Sequence, residues 1–460
     1  AVGLGNIWGF PNKMGANGGF PFLILYLALA LCCGVIIMLG ELALGRKTGH
    51  GAVGAYQSIS KRFKWLGWLG IAAAALIFSF YSALGGYCLR YVVVNFGNLI
   101  GAEFGTNGVG GADVFQGLLS QPDVSIAFAL AFMLITMLVV MSGVGGGIER
   151  VCSVGMPALF FILIICIIRS CTLPGAVDGL KYMFVPGWAV ANGIIDEAPG
   201  FWRVLTAAGG QMFFSLSLGA GVMITYGSYL DKKQDLGKST MIIVGMDTVV
   251  ALMAGLCVIP GRFALDPNGA LGGPELLFIT MQNVFDKMGP AGPVFGILFY
   301  LLVFFAAISS SISMLEVIVA HFCDKAREKG KGDRRKLYSA IAVVICAALC
   351  ALVCADGMGS NHISPAELLG LAGAKLPGWS TSWLGLFDSV AEGLLMPLGA
   401  LLMCLMISWE LKPDVLRQEI LLNGENRPWV YDFFRLCVKY ITPLCMLMIL
   451  YGQISDFFIV

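Results

Sequence analysis

Gly209-Gly-Gln-Met-Phe-Phe-Ser-Leu-Ser-Leu-Gly-Ala-Gly221 is the stretch that decides the fold. It lies in an apolar run at 200–230 long enough to cross a bilayer, yet its glycines flank a Ser-x-Ser. Glycine holds a helix poorly, and an unwound backbone in lipid leaves peptide groups unpaired. A break there is tolerable only where the freed groups find partners inside a protein. Freed carbonyls then bind a cation, and a half-helix N-terminus holds a carboxylate. Ala1-Val-Gly-Leu-Gly-Asn-Ile-Trp-Gly-Phe-Pro11 has the same character, with glycines, an Asn and a Pro crowded together. The alternative for both stretches is a Gly-rich face for close helix packing.

Outward from these two stretches the chain is apolar almost throughout. A membrane helix needs about 20 apolar residues. Such runs fall near 19–45, 67–97, 124–142, 150–170, 200–230, 238–260, 291–323, 337–355, 383–410 and 430–459, and 1–14 reads as the outer part of a further helix. The expectation is an all-α membrane protein of about eleven transmembrane helices. The two breaks occupy corresponding places if helices 1–5 (about 1–170) and 6–10 (about 200–410) are repeats, with helix 11 at about 430–459 appended. A five-plus-five inverted repeat with broken helices 1 and 6 is a transporter architecture. The whole of 1–460 reads as a single integral membrane domain.

Composition agrees. Only 12% of the 460 residues are charged and the mean hydropathy is +0.84, against about 25% charged in soluble domains. A net charge of +1 argues against a nucleic-acid-binding surface. The 14 Cys are scattered through apolar segments and read as small packing residues. No cleavable signal peptide is read, and the chain opens inside an apolar segment. Lys and Arg concentrate in the loops after helices 2, 4, 6, 8 and 10, densest from Lys325 to Lys336. The positive-inside rule places those loops in the cytoplasm, with the bacterial inner membrane the expected site. The three histidines, His50, His321 and His362, read as surface residues. No spacing reads as a catalytic constellation, so an enzyme is not expected, and a channel would build its pore from symmetric subunits.

Two polar features stand inside the spans. Asp247 lies in the run Ile242 to Ile259, and Ser309-Ser-Ser-Ile-Ser313 lies within helix 8. A carboxylate in a bilayer is costly and is usually paired or functional, whereas single serines commonly bond back to their own helix. Carboxylate, amide, hydroxyl and carbonyl oxygens together suit a hard cation such as sodium.

With these residues in view, the chain resembles the neurotransmitter:sodium symporters, specifically their bacterial amino-acid-transporting branch of leucine, tyrosine or multi-hydrophobic amino acid type. The matching segments are Gly3-Leu-Gly-Asn-Ile-Trp-Gly-Phe-Pro, Asn17-Gly-Gly, Gly40-Glu-Leu-Ala-Leu-Gly-Arg, Gly147-Ile-Glu-Arg, Gly210-Gln-Met-Phe-Phe-Ser-Leu-Ser-Leu-Gly, Phe304-Phe-Ala-Ala-Ile-Ser-Ser-Ser and Tyr440-Ile-Thr-Pro. The resemblance implies two sodium ions. One would be held by the Ala1 carbonyl, Asn6, Ser215, Asp247 and the substrate carboxylate. The other would be held by the carbonyls of Val2 and Ala306 and the hydroxyls of Ser309 and Ser310. Asp247 stands where relatives commonly carry Asn or Ser. Its carboxylate would supply the charge that chloride brings elsewhere, so chloride independence is expected, and a proton on Asp247 would ease the empty carrier's return.

The resemblance also implies the substrate site. Gly3 stands where amine-transporting relatives carry Asp, so an amino acid is expected, its ammonium on freed carbonyls near Ala1 and its carboxylate near Gly5 and Tyr81. Ile77, Phe213, Phe214, Ser215, Ser217, Ala220, Ser310 and Met314 would line the side-chain pocket. Ala220 replaces a bulky Phe of the leucine-type relative, which favours a hydrophobic or aromatic side chain. Tyr81 and Phe214 would close over the substrate. Asp388 matches the acidic half of an outer ion pair, but Gly9 occupies the usual arginine position, leaving Lys13 or water to replace it. Tyr229 and Asp324 match an inner gate. The expected activity is sodium-coupled symport by alternating access, with the lipid bilayer and a small solute as partners and a monomer or homodimer as the assembly. Carriage of another small organic solute, or a receptor of the same fold that does not transport, are the alternatives.

Overall fold

The computed structural model describes residues 3–106, 108–332, 334–371, 376–411, 415–422 and 428–458. Among these, nine helices have the length and apolarity to cross a membrane: α2 (Phe20–Thr48), α3 (Leu66–Ile100), α4 (Pro122–Met141), α5 (Val144–Cys171), α7 (Leu236–Leu265), α8 (Gly289–Glu328), α9 (Arg335–Gly359), α10 (Trp383–Glu410) and α11 (Pro428–Ser455). The other two expected spans are the ones read as broken. Of α1, the described part is a wide turn at Gly5–Gly9 running into an α-helix at Phe10–Ala16. The helix α6 runs Phe201–Leu216, stops, and resumes at Val222–Gly227. All eleven expected helices are therefore present, each within a few residues of its expected place. The larger departures are at helix ends: α5 begins at Val144, six residues before 150, α7 runs five residues past 260, through Pro260, and α8 continues to Glu328.

Four members of one half pack against their counterparts in the other. The broken helices α1 and α6 pack together, as do α2 with α7, α3 with α8, and α4 with α9. That pairing is what an inverted repeat around a central pseudo-two-fold produces. In lipid no hydrophobic drive pulls helices together, so contact rests on small residues that let backbones approach. Gly85 and Gly86 of α3 lie directly against Phe132 and Ala129 of α4, and a side chain at either would force the pair apart.

The breaks are narrower than the glycine clusters. In α6 the helix continues through Gly209 and Gly210, and the non-helical stretch is Ser217 to Gly221. Ser217, Gly219 and Gly221 have φ of 54°, 78° and 74°, a region in which only glycine is at ease. By contrast Gly209 packs on Ile449 of α11, and Gly5 and Gly9 of α1 pack on α6. The packing reading thus holds for the flanking glycines and the break reading for the central ones. Glu41 of α2, 1% exposed, accepts the Gly219 N–H at 2.7 Å, giving the unwound backbone a partner it could not find in lipid.

The end carrying the basic loops is fastened by an ion pair. Arg46, the first basic residue beyond the span expected at 19–45, is buried and donates from Nε to Glu419 at 2.8 Å, while Lys232 reaches the same carboxylate at 3.0 Å. His321 also departs from expectation: it is buried, its ring edge-on to Trp68. Burial pushes Glu419 up, but hydrogen bonds and charge from Lys232 and Arg46 outweigh it and hold its carboxyl below the usual range. A depressed acid stabilises the fold above its unfolded value, about 4.3 for glutamate, and that contribution is lost as pH falls through the lower folded value. Glu419→Gln should therefore cost about 3–5 kcal/mol at neutral pH, by leaving Arg46 buried without its anion. The same variant should flatten the loss of thermal stability that the parent shows on acidification below about pH 4, as read by melting in detergent.

Candidate functional site

The α6 break and the N-terminal end of the described part of α1 meet at the centre of the bundle, and the polar residues gather there. Asn6, fully buried, takes the Gly3 N–H on Oδ1 at 2.8 Å and donates to Ser215 Oγ at 3.0 Å and the Asp247 carbonyl at 2.9 Å. The Ser215 hydroxyl donates to Asp247 Oδ2 at 2.7 Å. Asp247 is itself fully buried, and its other oxygen, Oδ1, has no hydrogen-bond partner among the described residues. The Tyr26 hydroxyl of α2 lies beside Asp247, Ser215 and Thr248. A buried carboxylate oxygen without a partner is expensive. A cation among these oxygens would remove the penalty, so the donor set fits sodium taken up as a co-substrate.

A second group of oxygens lies on α8. Ser309 Oγ donates to the Ala306 carbonyl at 2.9 Å, so the two expected ligands are already adjacent. Ser311 and Ser313 bond back to Ile308 and Ser309 and reach across to Thr136 and Tyr226. Ser310 is directed elsewhere. Its Oγ occupies the space a Gly3 side chain would take, and the Tyr81 hydroxyl lies 3.4 Å from that same point. Tyr81 Oη accepts the Leu4 N–H at 2.7 Å. Gly3, Tyr81 and Ser310 therefore converge at the N-terminal end of the described part of α1, where the helix dipole favours an anion. The calls on Ala1 and Val2 lie outside the described residues.

The wide turn at Gly5–Gly9 is held by α6. Phe10 N–H closes on the Gly5 carbonyl, and Gln211 Nε2 donates to the same oxygen at 2.7 Å. The rings of Tyr81 and Phe214 are 6.1 Å apart. A cavity of about 520 Å³ starts at Ser217, Ser309 and Ser310 and runs past Met223 and Tyr226 to exposed Gln234 and Glu149. That volume accommodates a small solute. Ile77, Phe213, Ala220 and Met314 are buried around the centre, outside the wall of this cavity. The backbone of Ala220 lies against Gly70 of α3.

The remaining gate residues have partners that the sequence did not reveal. Tyr229 donates to Glu316 at 2.7 Å, and Arg335 closes on the same carboxylate at 2.6 and 3.0 Å. Asp324 accepts the Gly51 N–H at 2.9 Å, capping the short helix Ala52–Ile59. The structure thus gives Tyr229 and Asp324 separate partners. On the opposite side of the site Lys13 pairs with Glu392 of α10, and Asp388 is the carboxylate one turn earlier. Glu392 was missed, although an acid four residues after Asp388 in an apolar helix was the available signal.

Comparison with known proteins adds the following. The model of a family described as the Sodium:neurotransmitter symporter family matches residues 1–107 and 112–458. An uncharacterized sodium-dependent transporter of Bacillus subtilis (strain 168), YhdH, is 36% identical over 99% of this chain and 94% of its own. One from Methanocaldococcus jannaschii, MJ1319, is 29% identical over 91% and 80%. The crystal structure of MhsT in complex with L-phenylalanine superposes with a TM-score of 0.83 at 33% identity, covering 98% of this chain and 96% of that one.

Proposed function

Since the chain belongs to the sodium:neurotransmitter symporter family, we propose that it carries a hydrophobic or aromatic L-amino acid into the cell together with two sodium ions. The observation that carries this reading is the Oδ1 of Asp247, without a hydrogen-bond partner among the described residues and buried beside Asn6 and Ser215, where α1 meets the α6 break. It supports a first sodium there, with the Ala1 carbonyl and the substrate carboxylate completing the shell. The adjacent Ser309 hydroxyl and Ala306 carbonyl, with Ser310 and the Val2 carbonyl, support a second. The substrate carboxylate would lie against the N-terminal turn of α1 near Gly5 and accept from the Tyr81 hydroxyl. No aspartate at position 3 competes for the ammonium, which would rest on freed backbone carbonyls.

The cavity supports alternating access. With Tyr81 and Phe214 together, the cavity toward Gln234 supports release of solute at the end of the basic loops, the cytoplasmic end under the positive-inside rule. Two charges moving inward gain about 4.6 kcal/mol per 100 mV, at about 2.3 each, and the sodium gradient adds to that. The protein with L-phenylalanine bound in its crystal structure makes aromatic substrates the first to try. Equilibrium binding of labelled L-phenylalanine, L-leucine and L-tyrosine to purified protein tests the reading. Binding should require sodium and be unchanged when gluconate replaces chloride. Binding that needs chloride, or that persists in potassium alone, refutes it.

A further inference from the structure

The same face of α1 carries Gly5, Gly9 and Lys13, each four residues from the next. Along α6 they meet Phe214 and Ser215, then Gln211, then Gly210. Lys13 therefore lies about 12 Å beyond Gly5 along the helix, at 1.5 Å per residue, on the side of the site away from the open cavity. Its ammonium pairs with Glu392, whose side chain is 6% exposed. The pair rests on bare backbone: a Cβ on Gly210 would sit 2.6 Å from Glu392 Oε1 and 3.5 Å from Lys13 Nζ, with Gln453 Nε2 of α11 at 3.1 Å. Four helices, α1, α6, α10 and α11, meet at this one contact. Asp388 stands one turn nearer the start of α10, its Oδ1 buried without a hydrogen-bond partner among the described residues, within the field of the Lys13 charge.

From this arrangement we infer that Lys13 is a two-position latch of the outer gate, closed on Glu392 and open on Asp388. Opening a path from the outer end requires α1 and α6 to part from α10, and that breaks the Lys13–Glu392 pair. Parting a buried pair strands charge in a low dielectric, so Glu392 holds the gate shut while the cavity opens the other way. A second carboxylate one helical turn outward gives the ammonium a new partner as the helices separate. The transition then exchanges one ion pair for another. One lysine and two acids also leave a net negative charge at the mouth, which draws sodium rather than repelling it. The role as a gate rests on the transport reading above; the closed pair and its exchange do not.

Hydrogen–deuterium exchange of the full chain in nanodiscs, alongside uptake in proteoliposomes, tests the latch. In Glu392→Gln the segments 9–16 and 388–395 should exchange at least tenfold faster than in the parent. Uptake should fall at least fivefold, and sodium-dependent amino-acid binding should stay within threefold. The exchanged pair Lys13→Glu with Glu392→Lys should recover slow exchange and at least a third of the uptake. Asp388→Asn should keep parental exchange, because the closed pair is intact, yet slow uptake at least fivefold. Unaltered exchange in Glu392→Gln, an exchanged pair no better than that single variant, or parental uptake in Asp388→Asn would each overturn the proposal. If the parent itself fails to transport, the transport reading and the Asp388 position fall with it, while the exchange arms still decide the closed Lys13–Glu392 pair.

Discussion

Gly3→Asp should abolish sodium-driven uptake, by more than a hundredfold in initial rate. A Cβ at position 3 would overlap Ser310 Oγ and crowd the Tyr81 hydroxyl, so a side chain there displaces groups proposed for sodium and carboxylate binding. The carboxylate adds a second anion close to Asp247 in a low dielectric, where like charges repel strongly. Gly3→Ala separates the two effects. It keeps the overlap without the charge, and should lose about tenfold, or about 1.4 kcal/mol of transition-state or binding free energy. The measurement is labelled L-phenylalanine uptake at saturating sodium, with melting temperature as a check on folding. Near-parental uptake by Gly3→Ala would show that helix α1 does not approach α8 this closely.

Asp247→Asn should have the second largest effect, a loss of at least a hundredfold in apparent sodium affinity. The carboxylate brings a full negative charge to this oxygen cluster, and its Oδ1 makes no hydrogen bond among the described residues. The amide keeps size and one oxygen, so Asn6 and Ser215 retain their neighbours while the ion loses its counter-charge. A hundredfold change corresponds to about 2.7 kcal/mol, modest beside the cost of stranding an ion in such a site. Chloride should partly restore binding to this variant and leave the parent unaffected. Sodium titrations of substrate binding, with and without chloride, check both statements.

Much of this was legible in the sequence because the bilayer imposes so few solutions. The spans could be read from hydropathy, since a helix is the one local structure that hides its backbone in lipid. The corresponding breaks could be read from glycine crowding, although crowding marked a region wider than the five residues that unwind. Gly209 and Gly219 look alike in sequence. One accommodates Ile449 and the other takes a left-handed φ beside Glu41, and only the neighbouring helices distinguish them. Asp247 stood out as an acid in an apolar run, but that Ser215 and Asn6 enclose it follows from contacts over 32 and 241 positions. Long-range ion pairs were the least legible part. Lys13 with Glu392, and Glu316 with Tyr229 and Arg335, join residues whose separation carries no local pattern. His321 was read as a surface residue, and nothing local marked Arg46 as buried, because polarity alone does not reveal a buried partner or an aromatic one.

The central claim is that an inward sodium gradient drives an amino acid through the site at the two breaks. Labelled L-phenylalanine uptake into proteoliposomes reads it directly, with sodium outside and potassium inside. The account predicts accumulation above the external concentration, and collapse of that accumulation when a sodium ionophore dissipates the gradient. Equal uptake with sodium absent on both sides would contradict it.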